Sequence, residues 1–432
     1  MGRKIAFKTL GCRLNQYETD SLMSDFVKGG YEVVGFSEVA DAYVVNTCTV
    51  TNTGDHKSRQ AINQALRRNE NAVLVVTGCM ADSQKRSLDT NDRITYTVTN
   101  DRKGSVFQLL DGHFRGKNIH PDALKADRFA FGAAEKSFHT RSLIKIQDGC
   151  DNFCTFCIVP HVRGRAESRP YSDIERNIRE VLDFGYKEIV LTGVNIGRYE
   201  HEELGFEDIV EKILEIPGDF RVRISSIEPE GFGDKLVNLF EHPRLTPHLH
   251  LCLQSGSDRI LMKMRRRYSV ADFMNLVEKI RWRVPGFNFT TDIMVGFPGE
   301  TDDDFRKTCT ISEEAGFSHI HTFKYSRRKG TRADRMTDQV PERIKTERSA
   351  MIREISEKNK RSYRSSFPGK TQTVLVERID GRGHASGYGE HYVPVRFRAD
   401  EKTRLKHFRQ TRITGMEDSN DPALIAMPSG AP

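Results

Sequence analysis

Cys150, Cys154 and Cys157 place three thiols within eight residues, in C-x-x-x-C-x-x-C spacing. Thiolates are the soft ligands that iron–sulfur clusters take, and this spacing can wrap one cube of iron and sulfide. Three ligands for four irons leave one iron open to a small molecule. The alternative is zinc: Cys154, Cys157 and His161 follow C-x-x-C-x-x-x-H spacing, and with Cys150 they would make a closed Cys3His structural site.

Three further cysteines follow strand-like runs. Ile5 to Leu10, Ala42 to Val45 and Val73 to Val76 read as strands of a parallel α/β domain, with helical patterns around Leu22 to Val27 and from about Asp55 to Arg68. Cys12, Cys48 and Cys79 each lie just beyond one of these strands, two of them after glycine. In an open parallel sheet the carboxyl ends of strands line one edge, where ligands bind, so the three thiols are expected to converge there. One such cysteine would read as a small buried side chain, but three in the same topological position read as a second cluster site. Cys252 and Cys309 have no such partners and are assigned to the core.

After a linker-like stretch from 111 to 140, six strand candidates alternate with helices: Leu143 to Ile146, Glu188 to Thr192, Arg221 to Ser225, His248 to Leu253, Asn288 to Val295 and His319 to Phe323. This is βα-barrel repetition short of a full TIM barrel, and the cysteine loop falls just past its first strand, where barrel chemistry sits. Gly193, Asn195, Glu228, Gln254 and Asp292, at other strand ends, are read together as a ring around a nucleoside and amino-acid pocket; singly, each would be a turn or a cap. Arg163, Arg165 and the run Arg265 to Arg267 lie near strand ends and loops, where they read equally as partners for an anionic group and as solvated or cofactor-contacting side chains.

Beyond Pro341 a long basic helix leads to short β-rich runs: Thr371 to Glu377, Tyr392 to Phe397 and Gln410 to Thr414. They suggest a small β-barrel of a kind that commonly binds RNA, with Tyr388, His391 and Tyr392 as candidate stacking residues. Between Lys324 and Arg412 there are 24 Lys and Arg against 11 Asp and Glu, so this end exceeds the whole chain's net +7 and is the candidate polyanion surface. The terminal Pro-Ser-Gly-Ala-Pro is expected to be disordered.

The 432 residues exceed one core, and 37% hydrophobic with 29% charged residues suit a soluble protein with no membrane span. The start carries no export pattern, so the expected compartment is the cytoplasm. Eight cysteines there point to metal or catalysis rather than to disulfides.

With all six cysteines placed, the chain resembles the radical S-adenosylmethionine (SAM) methylthiotransferases from end to end. The segments Leu10 to Thr19, Asn46 to Asp55 and Lys145 to Cys150 are most similar to the bacterial branch that modifies threonylcarbamoyladenosine in tRNA. Arg13 departs from the lysine expected there, and His161 to Gly164 from the usual aromatic after proline. The resemblance implies an amino-terminal domain over 1–115, a partial (β/α)6 radical SAM barrel over 136–366 and a TRAM β-barrel over 367–432. It also implies two 4Fe–4S clusters, one on Cys150, Cys154 and Cys157 and one on Cys12, Cys48 and Cys79. SAM would chelate the open iron of the first cluster, with Phe156 near its adenine. The implied reaction is methylthiolation of carbon 2 of N6-threonylcarbamoyladenosine at position 37, in a tRNA anticodon loop, with electrons from a flavodoxin or ferredoxin. Alternatives are a methylthiotransferase for isopentenyladenosine or for a ribosomal protein side chain, and a zinc-containing RNA-binding module.

Overall fold

The computed structural model describes residues 2–135, 140–230 and 233–429. Its amino-terminal sheet has five parallel strands in the order Glu32–Val34, Lys4–Thr9, Ala42–Thr47, Val73–Gly78, Tyr96–Val98. Strand side chains alternate between faces, so Ile5, Val44 and Val75 join one apolar core and Ala6, Val45 and Val76 another. Helix Arg13–Lys28 covers the first face and Asn52–Arg68 the second. This burial on both sides explains the nearly uninterrupted apolar runs in the central strands. The sequence reading missed the two outer strands, which have only three residues each.

The segment read as a linker is packed: helix Val106–Phe114 runs into it, and Leu124 and Phe131 are buried in the amino-terminal core. The point at Lys136 where that stretch was expected to end lies outside the described residues.

Six parallel strands follow in chain order: Ser142–Lys145, Glu188–Thr192, Arg221–Ile224, His248–Leu251, Asn288–Val295 and His319–Lys324. The pairing weakens between the third and fourth strands, which are linked by a Val222 to Leu245 bridge and by Ser226–Ile227 against His250 and Leu251. The strands form an arc with one open side, and the amino-terminal helix Arg13–Lys28 packs beside its first strand. Helix Glu342–Ser365 packs on the last strand, with Ser356 Oγ accepting the Ile320 N–H at 2.9 Å.

The carboxyl-terminal unit is a closed five-stranded barrel with neighbours in the order Thr371–Ile379, His384–Tyr388, Pro394–Arg398, Leu424–Pro428, Phe408–Met416. Pro428, expected in a disordered tail, ends a strand; Gly430 to Pro432 lie outside the described residues. The barrel is welded to the βα arc by buried charge. Glu188 receives Arg221 and Arg223, and these arginines also donate to the carbonyls of Thr373, Tyr388 and Glu390. Arg141 joins Glu188 to Glu377 across the same seam. Among the described residues no helix is long and apolar enough to cross a membrane.

Candidate functional site

The loop of contiguous cysteines leaves the first barrel strand through Gly149, whose φ is +70°. A Cβ there would lie 1.9 Å from the Arg165 carbonyl oxygen, so only glycine fits. Buried Gln147 ties the loop down. Its Oε1 accepts the N–H groups of Val194 and Asn195 at 3.1 and 2.8 Å, and its Nε2 donates to the carbonyls of Asp148 and Gly149, each at 2.8 Å.

Polar groups then meet the sulfurs. The Asn152 N–H donates to Cys150 Sγ at 3.5 Å, and Asn195 Nδ2 lies 4.0 Å from the same atom. Arg266 Nη1 is 3.3 Å from Cys154 Sγ and 2.6 Å from Glu228 Oε1, and Glu228 also accepts from Asn152 Nδ2. Burial pushes the Cys157 thiol up to about 12, and the neighbouring Cys154 adds to the shift. Burial raises Cys150 and Cys154 too. Phe156 packs edge-on against Phe297, with centroids 6.4 Å apart.

The second triad assembles from three strand ends. Cys12 precedes helix Arg13–Lys28, Cys48 follows Ala42–Thr47, and Cys79 begins a short helix after Val73–Gly78. Because these strands are neighbours, their ends share one edge. Approach is close: a Cβ at Gly11, where φ is +95°, would lie 2.9 Å from Cys48 Sγ. Burial pushes Cys79 up to about 11; Arg163 offsets part of this, and the Cys12 and Cys48 sulfurs add to it.

All eight cysteines are free thiols. A single tetrahedral zinc with bonds of about 2.3 Å needs its sulfurs roughly 4 Å apart. Among the described residues, the one set of His, Cys, Asp or Glu ligand atoms lying within 4.8 Å of one another is His250, Cys252 and Asp292, so neither triad is that tight. His161 is exposed and joins neither. Electrostatic coupling within each triad nevertheless makes its sulfurs neighbours. Each triad thus offers three soft thiol donors, of the kind that metal clusters take. In the compact trio His250 faces polar partners on both sides, Nε2 at 3.2 Å from Asp292 and Nδ1 at 2.9 Å from Thr290 Oγ1.

Between the amino-terminal domain and the barrel lies a cavity of about 550 Å³. Cys12 and Arg13 line it from one domain, Gly193, His250 and Asp292 from the barrel, and Tyr388 and Tyr392 from the carboxyl-terminal barrel. Gln254 sits beside this wall with an unusual φ of +69°, its N–H bonded to the Asp292 carbonyl at 2.8 Å. Gly193 is required by close packing, since a Cβ would lie 2.7 Å from the Gln147 carbonyl.

Several sequence expectations change here. Arg163 cannot meet a substrate: it is buried in an ion-pair network with Glu18 and Asp148, which Lys103 and Lys145 complete across the domain seam. Arg165, Arg265 and Arg267 are exposed, whereas the Arg266 side chain is buried beside Cys154. Cys252 is buried, as expected, with its sulfur 4.0 Å from an Asp292 carboxylate oxygen. Cys309 packs against the barrel core, as expected. His391 is half-buried, packed edge-on against Phe367 and hydrogen-bonded to Gln372. Tyr388 and Tyr392 stack on each other with centroids 4.9 Å apart and face the cavity. The sequence reading missed the lumen histidines. His248-Leu249-His250-Leu251 and His319-Ile320-His321 carry the signal, because strand alternation sends the leucines and isoleucine to the core and the histidines inward.

Residues 144–310 match the radical SAM superfamily, and residues 4–99 match a family described as uncharacterized protein family UPF0004. The threonylcarbamoyladenosine tRNA methylthiotransferase MtaB of Bacillus subtilis is 36% identical over 409 residues, covering 92% of this chain and 91% of the relative. A tRNA-2-methylthio-N(6)-dimethylallyladenosine synthase of Methylacidiphilum infernorum is 33% identical, covering 86% of this chain and 84% of that one. Among solved structures, the radical SAM methyltransferase TsrM of Kitasatospora setae superposes with a TM-score of 0.56 at 15% identity, covering 74% of this chain and 73% of TsrM, which is a likeness of fold.

Proposed function

The chain belongs to the radical SAM methylthiotransferases, and from that membership we propose that it replaces the hydrogen on carbon 2 of N6-threonylcarbamoyladenosine in tRNA by a methylthio group. Membership implies SAM and a 4Fe–4S cluster, which we assign to Cys150, Cys154 and Cys157. We assign a second cluster to Cys12, Cys48 and Cys79. When bound, these groups supply the radical and the sulfur that no side chain of the chain can supply to an unactivated aromatic carbon.

The chain's own contribution is positioning. Asn152 and Asn195 hold the Cys150 sulfur and Arg266 the Cys154 sulfur through hydrogen bonds and charge, and Glu228 fixes Arg266. Gly193, Gln254 and Asp292 form the wall on which SAM would lie, with Phe156 at its edge. Tyr388 and Tyr392 cap the cavity and offer aromatic faces to a base splayed from the anticodon loop. We take the working units to be 1–115, 136–366 and 367–432, with a flavodoxin or ferredoxin as electron donor.

The observation that carries this reading is the cavity itself. Cys12 of one triad lines it together with Gly193 and Asp292, which adjoin the residues around the other triad, and its volume suits a nucleoside. The test is anaerobic reconstitution with iron, sulfide, SAM and a reductant, followed by nucleoside mass spectrometry of tRNA carrying threonylcarbamoyladenosine. Methylthio-threonylcarbamoyladenosine is the expected product. Methylthio-isopentenyladenosine as the main product would overturn the substrate and leave the cluster chemistry standing.

A further inference from the structure

The cations on the cavity wall are unequal. Lys360 is paired with Glu357 at 2.7 Å and Asp421 at 3.5 Å, and Arg364 with Asp421 at 2.8 Å. Arg13 makes no ion pair or hydrogen bond among the described residues; its nearest recorded partner is the Tyr392 ring, 6.0 Å from the guanidinium to the centroid. Its charge is felt inside the lumen. Burial first, and then Arg13 among the nearby cations, pushes His248 and His321 toward the neutral form. A second feature points to a missing ligand: His248 is 2% exposed, lines the same cavity, and its Nδ1 has no partner. A built cavity with one exposed guanidinium that no carboxylate pairs and one unsatisfied buried nitrogen is poorly matched to hydrocarbon and well matched to an anionic, hydrogen-bonding group.

Position narrows the choice. Arg13 directly follows Cys12, and consecutive Cα atoms are about 3.8 Å apart. In adenine, carbon 2 and carbon 6 flank the same ring nitrogen, so a base that turns carbon 2 toward Cys12 holds its N6 substituent within an arginine's reach of that point. We propose that Arg13 is the specificity residue for the substrate, binding the carboxylate of the threonylcarbamoyl group through charge-assisted hydrogen bonds beside Tyr392. This rests on the substrate reading above and adds to it the residue that distinguishes an acidic N6 substituent from an isopentenyl one.

The test compares an anticodon stem-loop carrying threonylcarbamoyladenosine with the same stem-loop carrying its methyl ester, which removes the charge at the cost of one added methyl group. Binding to the reconstituted protein is measured by fluorescence anisotropy, alongside KM for methylthiolation and iron content. Wild type is expected to prefer the acid by about tenfold to a hundredfold, the worth of a charge-assisted contact. R13Q is expected to bind acid and ester alike, with raised KM and full iron, while R13K keeps most of the preference. Retention of the wild-type preference by R13Q would overturn the assignment. Loss of the preference in R13K to the same extent as in R13Q, with iron lowered in both, would overturn it in favour of a structural role beside Cys12. Wild-type protein that ignores both stem-loops and modifies isopentenyladenosine instead would overturn the substrate reading and this proposal with it.

Discussion

The two cysteine triads reach similar ends by different routes. Cys150, Cys154 and Cys157 arrive on one loop, whose shape depends on a glycine turn and on Gln147 within the same few residues. Cys12, Cys48 and Cys79 arrive on three strands, and their proximity depends on strand order, register and the charge network under the domain seam. The first triad should therefore be damaged mainly by changes inside its loop. The second should be damaged by changes far from any cysteine.

The sharpest break in this comparison comes from the cysteines themselves. Alanine at Cys150, Cys154 or Cys157 should reduce reductive formation of 5'-deoxyadenosine to background. The triple alanine variant of Cys12, Cys48 and Cys79 should retain it, hold about half the iron and make no methylthio product. Undiminished iron in that triple variant would remove the second cluster from the comparison.

Next in size is Glu18→Gln. Burial alone would raise the Glu18 carboxyl, but Arg163, Lys103 and Lys145 overcome that and hold it well below the usual range. Neutralising it leaves buried Lys103 without a carboxylate and Arg163 and Lys145 with Asp148 alone, a loss of about 3–5 kcal/mol. The unfolding midpoint should fall, and iron should be lost from the dispersed triad before the contiguous one. Equal loss from both sites in chelator challenge would contradict the separation.

The other seam offers a pH test. Burial opposes ionisation of Glu188, yet Arg221, Arg223 and Arg141 depress it strongly. A carboxylate held low stabilises the fold above its unfolded value of about 4.3 and loses that contribution as pH falls further. Wild type should therefore lose stability steeply below about pH 4.3, and Glu188→Gln should start lower and show a shallower slope. Parallel curves would mean that the seam does not act as a charged unit. The smallest expected effect is that of Tyr392→Ala, which removes one stacking face worth about 1–3 kcal/mol of tRNA affinity. Filter binding should register it, while iron content stays constant.

Much of the architecture was legible because it is written in local periodicity. The strands Glu188–Thr192 and Asn288–Val295 coincide with their apolar runs, and helix Asp302–Glu314 with its amphipathic pattern. Three-residue edge strands were not legible, since so short a run has no measurable period. The loop of Cys150, Cys154 and Cys157 was readable for the same local reason, as was the position of each remaining cysteine past a strand.

What the chain alone determined is the chemistry its near neighbours can perform: three thiols on one loop, three at strand ends, and a basic carboxyl end. Which arginine is spent and which is free was decided only in three dimensions. Arg163 and Arg13 look alike in sequence, yet one is enclosed by Glu18 and Asp148 and the other lies exposed on the cavity wall. The same holds for His391, packed against Phe367, and Tyr392, which lines the cavity. The physical reason is range. Backbone preference and side-chain alternation act over a few residues, whereas the partner of a charge depends on which distant strand or domain the fold brings against it.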